Sequence, residues 1–125
     1  MALFKQVDAA VLHVDNLEAG LDFYCSKLGQ KLKWRNDISA GLELGESELV
    51  LSTALDAETD ILVESVDEAV KQIAEYGGIV VVAPEDIPVG RVAVVKDPFG
   101  NVITLVDLSK GTYKTDDSHN VTGVA

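Results

Sequence analysis

Apolar residues recur at Leu17, Leu21, Tyr24 and Leu28, the i, i+4, i+7 spacing of one helix stripe, and again at Val66, Ala69, Val70, Ile73 and Tyr76. The first stripe runs out at Gly29 and the second at Gly77-Gly78. Around each stripe the pattern changes to the alternating or β-branched runs expected of strands. Strands are predicted at residues 7–14, 31–37, 39–44 and 48–53 around the first helix, and at 60–64, 79–83, 89–96 and 101–108 around the second. The order is strand, helix, three strands, twice. Gly45-Glu46-Ser47 and Asp97-Pro98-Phe99-Gly100-Asn101 supply turn chemistry between the last two strands of each set. Residues 109–125 are mostly polar and show no period, which predicts a flexible tail or an arm that docks on a neighbour.

The two halves are a repeat. Val14 and Val63, Leu17 and Val66, and Gly29 and Gly78 all stand 49 positions apart. The same offset pairs Asn16 with Ser65, each suited to accept a hydrogen bond from a free amide of the first helical turn. It also pairs Glu18 with Asp67, where the helix dipole favours a carboxylate. Ser65 and Glu68 have capping-box spacing, and Gly29 and Gly78 suit the left-handed residue that closes a helix. Cap, acid, stripe and stop recurring at one offset predict a duplicated βαβββ module.

Composition narrows the function classes. A chain of 125 residues with 47% hydrophobic content supports one domain with a real core. Ten Lys and Arg against twenty-one Asp and Glu give a net charge of −11, which repels nucleic-acid backbones and anionic membranes. Residues 1–10 carry Lys5, Gln6 and Asp8 and do not read as a signal peptide. No apolar run approaches the roughly 20 residues a bilayer helix needs. Cys25 is the single cysteine, so no internal disulfide forms and a reducing, cytoplasmic setting is expected. No glycine-rich phosphate loop, His-Glu-x-x-His helix, paired-cysteine cluster or nucleophile elbow occurs, which removes nucleotide, zinc-protease and serine-hydrolase readings.

Val14-x-Asn16-Leu17-Glu18, then Phe23-Tyr24 and Leu28-Gly29, resembles the first-helix signature of the glyoxalase/bleomycin-resistance/extradiol-dioxygenase superfamily. Asp97-Pro98-Phe99-Gly100-Asn101 followed by Val102-Ile103-Thr104-Leu105 is similar to its closing hairpin. The likeness covers residues 4–108. It implies an α+β fold in which two βαβββ modules, 4–56 and 57–108, form one domain with an eight-stranded, partly closed sheet around a cavity, completed in a homodimer. Residues 109–125 lie outside it.

Metal-dependent relatives draw ligands from the first and last strands of both modules. Carried over by position, these fall on Ala9, on Glu58 with Thr59 and Asp60 beside it, on Thr104, and within residues 49–53. Alanine, leucine and threonine do not replace the imidazoles and carboxylates that bind zinc, nickel or iron, so neither a metal nor another cofactor is expected.

Five residues are candidates for ligand contact. His13 lies four positions beyond Ala9 on the same strand face; it reads either as a base or ligand donor, or as a structural histidine. Trp34 reads as an aromatic cavity wall or as core. Arg91 reads as a partner for a ligand carboxylate or for one of many surface acids. Ser52 and Thr104 stand where metal-bearing relatives carry acids. Cys25 has no acid or histidine beside it in sequence to activate a thiol. The function this implies is metal-independent binding of a small organic ligand, cationic or amphipathic given the acidic charge. The rival is a glyoxalase-like lyase or isomerase using His13, Glu43 or Glu58 as base, and a purely structural dimerisation module is a third class.

Overall fold

The computed structural model describes residues 2–125. The predicted order occurs twice: β1 (Gln6–His13), α1 (Leu17–Leu21), β2 (Leu32–Arg35), β3 (Ser39–Leu44) and β4 (Ser47–Ser52), then β5 (Glu58–Leu62), α2 (Val66–Glu75), β6 (Ile79–Ile87), β7 (Gly90–Lys96) and β8 (Val102–Asp107). Hydrogen bonding orders these strands β2-β3-β4-β1-β5-β8-β7-β6, a mixed eight-stranded sheet that ends in β2 and β6. Each half follows one plan, with its first strand parallel to its last and its remaining neighbours antiparallel. The fold is therefore α+β with an internal repeat.

The chain divides into two compact units. One comprises the segment through Asp8, Thr59–Thr112 and Val124–Ala125; the other comprises Ala9–Glu58 and Tyr113–Gly123. In the first unit, Val66, Ala69 and Val70 of α2 pack on Ala93, Val95 and Leu105 of the sheet. In the second, Leu17 and Leu21 of α1 pack on Ala40, Leu42 and Leu51. Leu42, Leu51 and Leu105 are fully buried, so truncating any of them to alanine costs about 2–5 kcal/mol.

The helix caps form as the offset requires. Asn16 Oδ1 accepts the Ala19 amide at 2.9 Å, and Ser65 Oγ accepts the Glu68 amide at 3.3 Å. Two details differ from the pattern. The first helix continues as π-helical turns over Asp22–Lys27, with the Leu28 amide bonded to the Phe23 carbonyl at 3.0 Å. In the second helix the left-handed residue is Gly77 (φ 99°), not Gly78. Gly78 is needed for space instead, because a β-carbon there would lie 2.3 Å from Ile73.

The segment expected as a flexible tail or an arm on a neighbour folds instead as a hairpin on its own chain, β9 (Tyr113–Thr115) and β10 (Val121–Val124). Thr112 and Ala125 exchange backbone hydrogen bonds at 3.0 Å, and the Arg35 amide donates to the His119 carbonyl at 2.9 Å. The hairpin turn repeats the one between β7 and β8. Asp97 Oδ1 accepts the Phe99 and Asn101 amides at 2.8 and 2.9 Å; Asp116 Oδ1 accepts the Ser118 and Asn120 amides at 2.9 and 3.0 Å. The left-handed position is Gly100 in one turn (φ 91°) and His119 in the other (φ 67°). That histidine hides the second turn from a glycine-based reading of the sequence.

Candidate functional site

Each half of the sheet has one face against its helix and one turned away from it. Pairing in the first module places Ala9 beside Glu48, Val11 beside Val50 and His13 beside Ser52 on the helix-free face. Leu12, Leu49 and Leu51, out of phase by one, lie on the helix side. Trp34 would follow Leu32 to the helix side by simple alternation. A register shift between Leu32 and Trp34 pairs Trp34 with Gly41 and moves its indole to the other face. The ring lies so close over Gly41 that a β-carbon there would meet its Nε1 at 2.0 Å.

On this face Trp34 is 8% exposed. Its Nε1 donates to Glu48 Oε2 at 3.1 Å, and the Tyr113 ring of the hairpin packs against it with centroids 4.8 Å apart. Lys33 Nζ holds the other oxygen of Glu48 at 2.9 Å. Burial, with the Glu48 charge second, pushes the Tyr113 hydroxyl above its ordinary pKa. Trp34 is thus a packed residue under the chain's own hairpin. Glu48 and Tyr113 were not singled out from sequence, and the alternation that puts Glu48 opposite Ala9 was the signal available for the first of them.

The other candidates separate. His13 sits at the exposed end of β1, with Nδ1 3.0 Å from the Leu55 carbonyl oxygen and Nε2 3.1 Å from Asp15 Oδ1. The Leu55 bond and then the Asp15 bond raise its pKa, because both acceptors favour the imidazolium. A histidine whose two nitrogens both face acceptors is poorly placed as a general base. Ser52 is 2% exposed, and its Oγ accepts the amides of Ala54 and Leu55 at 3.1 and 2.9 Å, closing the turn after β4. Arg91 turns to the helix side, where Nε donates to Asp67 at 3.2 Å and Nη1 to Asp86 at 3.0 Å. Cys25 is half-buried, and that burial raises its thiol pKa, opposite to what a nucleophile requires.

Thr104 lies on the helix-free face of the second module. Across the strands its register partners are Asp60 and Val94, and Val94 is paired in turn with Val82. The next row is Leu62, Val106, Val92 and Glu85. Thr104, Val92 and Val94 are half-buried and Val82 is exposed. These two rows carry one hydroxyl and two carboxylates, Asp60 and Glu85, among valines and Leu62. The first module's face is by contrast occupied by Trp34 and Tyr113.

A description of the glyoxalase/bleomycin resistance protein/dioxygenase superfamily matches residues 6–105. The chain belongs to this superfamily. An uncharacterized protein of Mycolicibacterium smegmatis is 35% identical over 103 residues, covering 77% of this chain and 88% of that one. Among solved structures, a hypothetical protein from Bacillus halodurans C-125 superposes with a TM-score of 0.70 at 20% identity, covering 90% of this chain and 98% of its own. Methylmalonyl-CoA epimerase from Mycobacterium tuberculosis superposes with a TM-score of 0.65 at 18% identity, covering 86% of this chain and 90% of its own. At these identities the two structures share the fold.

The metal of the catalytic superfamily members does not fit the residues present here. Ala9 offers a buried methyl group, Thr104 a neutral hydroxyl and Ser52 an oxygen already used by two amides. Glu58, with Asp60 two residues on, leaves at most a pair of carboxylates at the carried-over positions. Among the described residues no three of His, Cys, Asp and Glu lie close enough together to hold a metal ion. Among those residues, too, no helix is long and apolar enough to cross a membrane.

Proposed function

We propose that the protein is a metal-independent small-molecule binding protein that uses the helix-free face of its second module. The carrying observation is the row Asp60, Thr104, Val94, Val82, in which two polar groups stand among apolar neighbours. Ligand sites have this composition: apolar walls supply affinity and a few polar groups set orientation. The net charge of −11 suits a cationic or amphipathic organic ligand over an anion. Binding is favoured over lyase or isomerase chemistry based on His13, because that histidine is engaged at both nitrogens.

The protein works as a homodimer in this reading. Strand β6 ends the sheet order and exposes Ile79, Val80, Val81 and Val82, an apolar edge that a second copy would cover.

Thermal-shift screening of small organic cations in the presence of a chelator tests the proposal. A stabilising compound whose effect is lost in Thr104→Val and kept in Ser52→Ala supports it. Stabilisation by divalent metal alone, or the absence of any hit sensitive to Thr104→Val, argues against it.

A further inference from the structure

A second feature of the second module lies apart from the Thr104 face. Leu3 and Phe4 of the N-terminal segment, Ile73 of α2 and Tyr76 at its C-terminal end, Pro98 of the β7–β8 turn and Ile103 of β8 line an open cavity of about 340 Å³. Gln72 and Asp97 complete its lining. Ile73 and Ile103 belong to the helix side of the sheet, whereas Thr104 faces the other way. The rings at this site remain in water: Tyr76 is 82% exposed and Phe4 43%. Single exposed apolar residues are ordinary, but several converging on one concavity mark a binding surface.

We propose that this cavity is a ligand site for a small amphipathic cation, an apolar ring carrying an ammonium group. Its volume sits at the low end of small-molecule sites, which suits one or two rings and excludes a docked helix. The apolar walls take the ring, and Asp97 sets the sign of the charge. Asp97 Oδ1 is filled by the Phe99 and Asn101 amides, but Oδ2 takes a single bond, from Asn101 Nδ2 at 2.8 Å. A carboxylate oxygen accepts two, so one acceptor position remains for an N–H donor. The Asn101 side chain first, then its backbone amide, hold the carboxyl below its ordinary pKa, so it is ionised at neutral pH. An anion would meet this charge and a chain carrying −11 overall.

The test is an amide NMR titration of the full chain with 2-phenylethylammonium, and with phenylacetate as the anion of like size. The expected result is saturable shifts at Ile73, Tyr76 and Ile103, with phenylacetate weaker by on the order of tenfold. Gln72→Trp, at an exposed position, lays a ring over the cavity and abolishes the shifts. Asp97→Asn narrows the preference for the cation; if that variant unfolds the turn, the phenylacetate comparison on the natural chain still decides. Absence of saturation, equal affinity for both charges, or shifts that persist in Gln72→Trp would overturn the proposal.

Discussion

The rings of Trp34 and Tyr113 pack 4.8 Å apart, so the last hairpin of the chain covers the aromatic residue that the sequence offers as a cavity wall. The contact joins β2 to β9 across most of the chain. It makes the two modules unequal in use despite their equal topology, and it supplies a reporter, because Trp34 is the sole tryptophan. Tyr113→Ala should shift Trp34 emission to the red and raise its quenching by acrylamide. The loss of stability should exceed about 1 kcal/mol, because the buried area of the ring is lost together with the aromatic pair. Unchanged emission would mean that the hairpin does not shield the indole.

His119 occupies the left-handed position that Gly100 fills in the equivalent turn. A side chain in that conformation costs roughly 1–2 kcal/mol, part of which glycine recovers against its greater freedom when unfolded. His119→Gly should therefore raise the denaturant midpoint modestly, by about 0.5 kcal/mol of stability. Asp116→Ala should lower it, since that carboxylate accepts the Ser118 and Asn120 amides. A lower midpoint for His119→Gly would show that its side chain makes a contribution beyond the turn.

Asp107 is 3% exposed, and its carboxylate accepts the amides of Val66 at 2.8 Å, Arg91 at 3.0 Å and Ser109 at 3.2 Å, with the Ser109 hydroxyl at 2.7 Å. Burial pulls its pKa up, but the hydrogen bonds led by Val66 outweigh it and the net shift is down. A depressed carboxylate contributes stability that is complete above its unfolded pKa near 3.9 and is lost as pH falls through the folded value. Asp107→Ala leaves buried amides unpaired and should cost about 3 kcal/mol at pH 7. Urea midpoints from pH 7 down to pH 2.5 should show a smaller acid loss in Asp107→Asn than in the natural chain. An equal acid loss in both would place the acid sensitivity elsewhere.

His13 gives the opposite sign. Its raised pKa, set first by the Leu55 carbonyl and then by Asp15, favours the folded state below the unfolded value of about 6.5. That contribution fades as pH rises through the folded pKa. A ring-proton NMR titration should place His13 above the unfolded value, and Asp15→Asn should bring it down. A value at or below about 6.5 would restore His13 as a free base.

Most of the architecture was legible because it rests on local rules. Asn16 and Ser65 cap helices by bonds within three residues, and the offset of 49 carries the strand order with them. The hairpin is hidden in the sequence because Asp116 and Asn120 repeat the spacing of Asp97 and Asn101 with histidine in place of glycine. The candidate site was less legible because its assignments depend on partners distant in sequence. Arg91 is held by Asp67 and Asp86, and Trp34 changes face through a register shift that no alternation announces. Thr104 stands three residues after the Asp97–Asn101 turn, which fixes both its strand and its face.

The most direct test of metal-independent ligand binding is native mass spectrometry of the chain purified without chelator, repeated after dialysis against one, with elemental analysis alongside. The account predicts a retained organic mass that survives chelation, reduced in Thr104→Val, with transition metal far below one equivalent per chain. Near one equivalent of zinc, nickel, manganese or iron, lost together with the organic ligand on chelation, would contradict it.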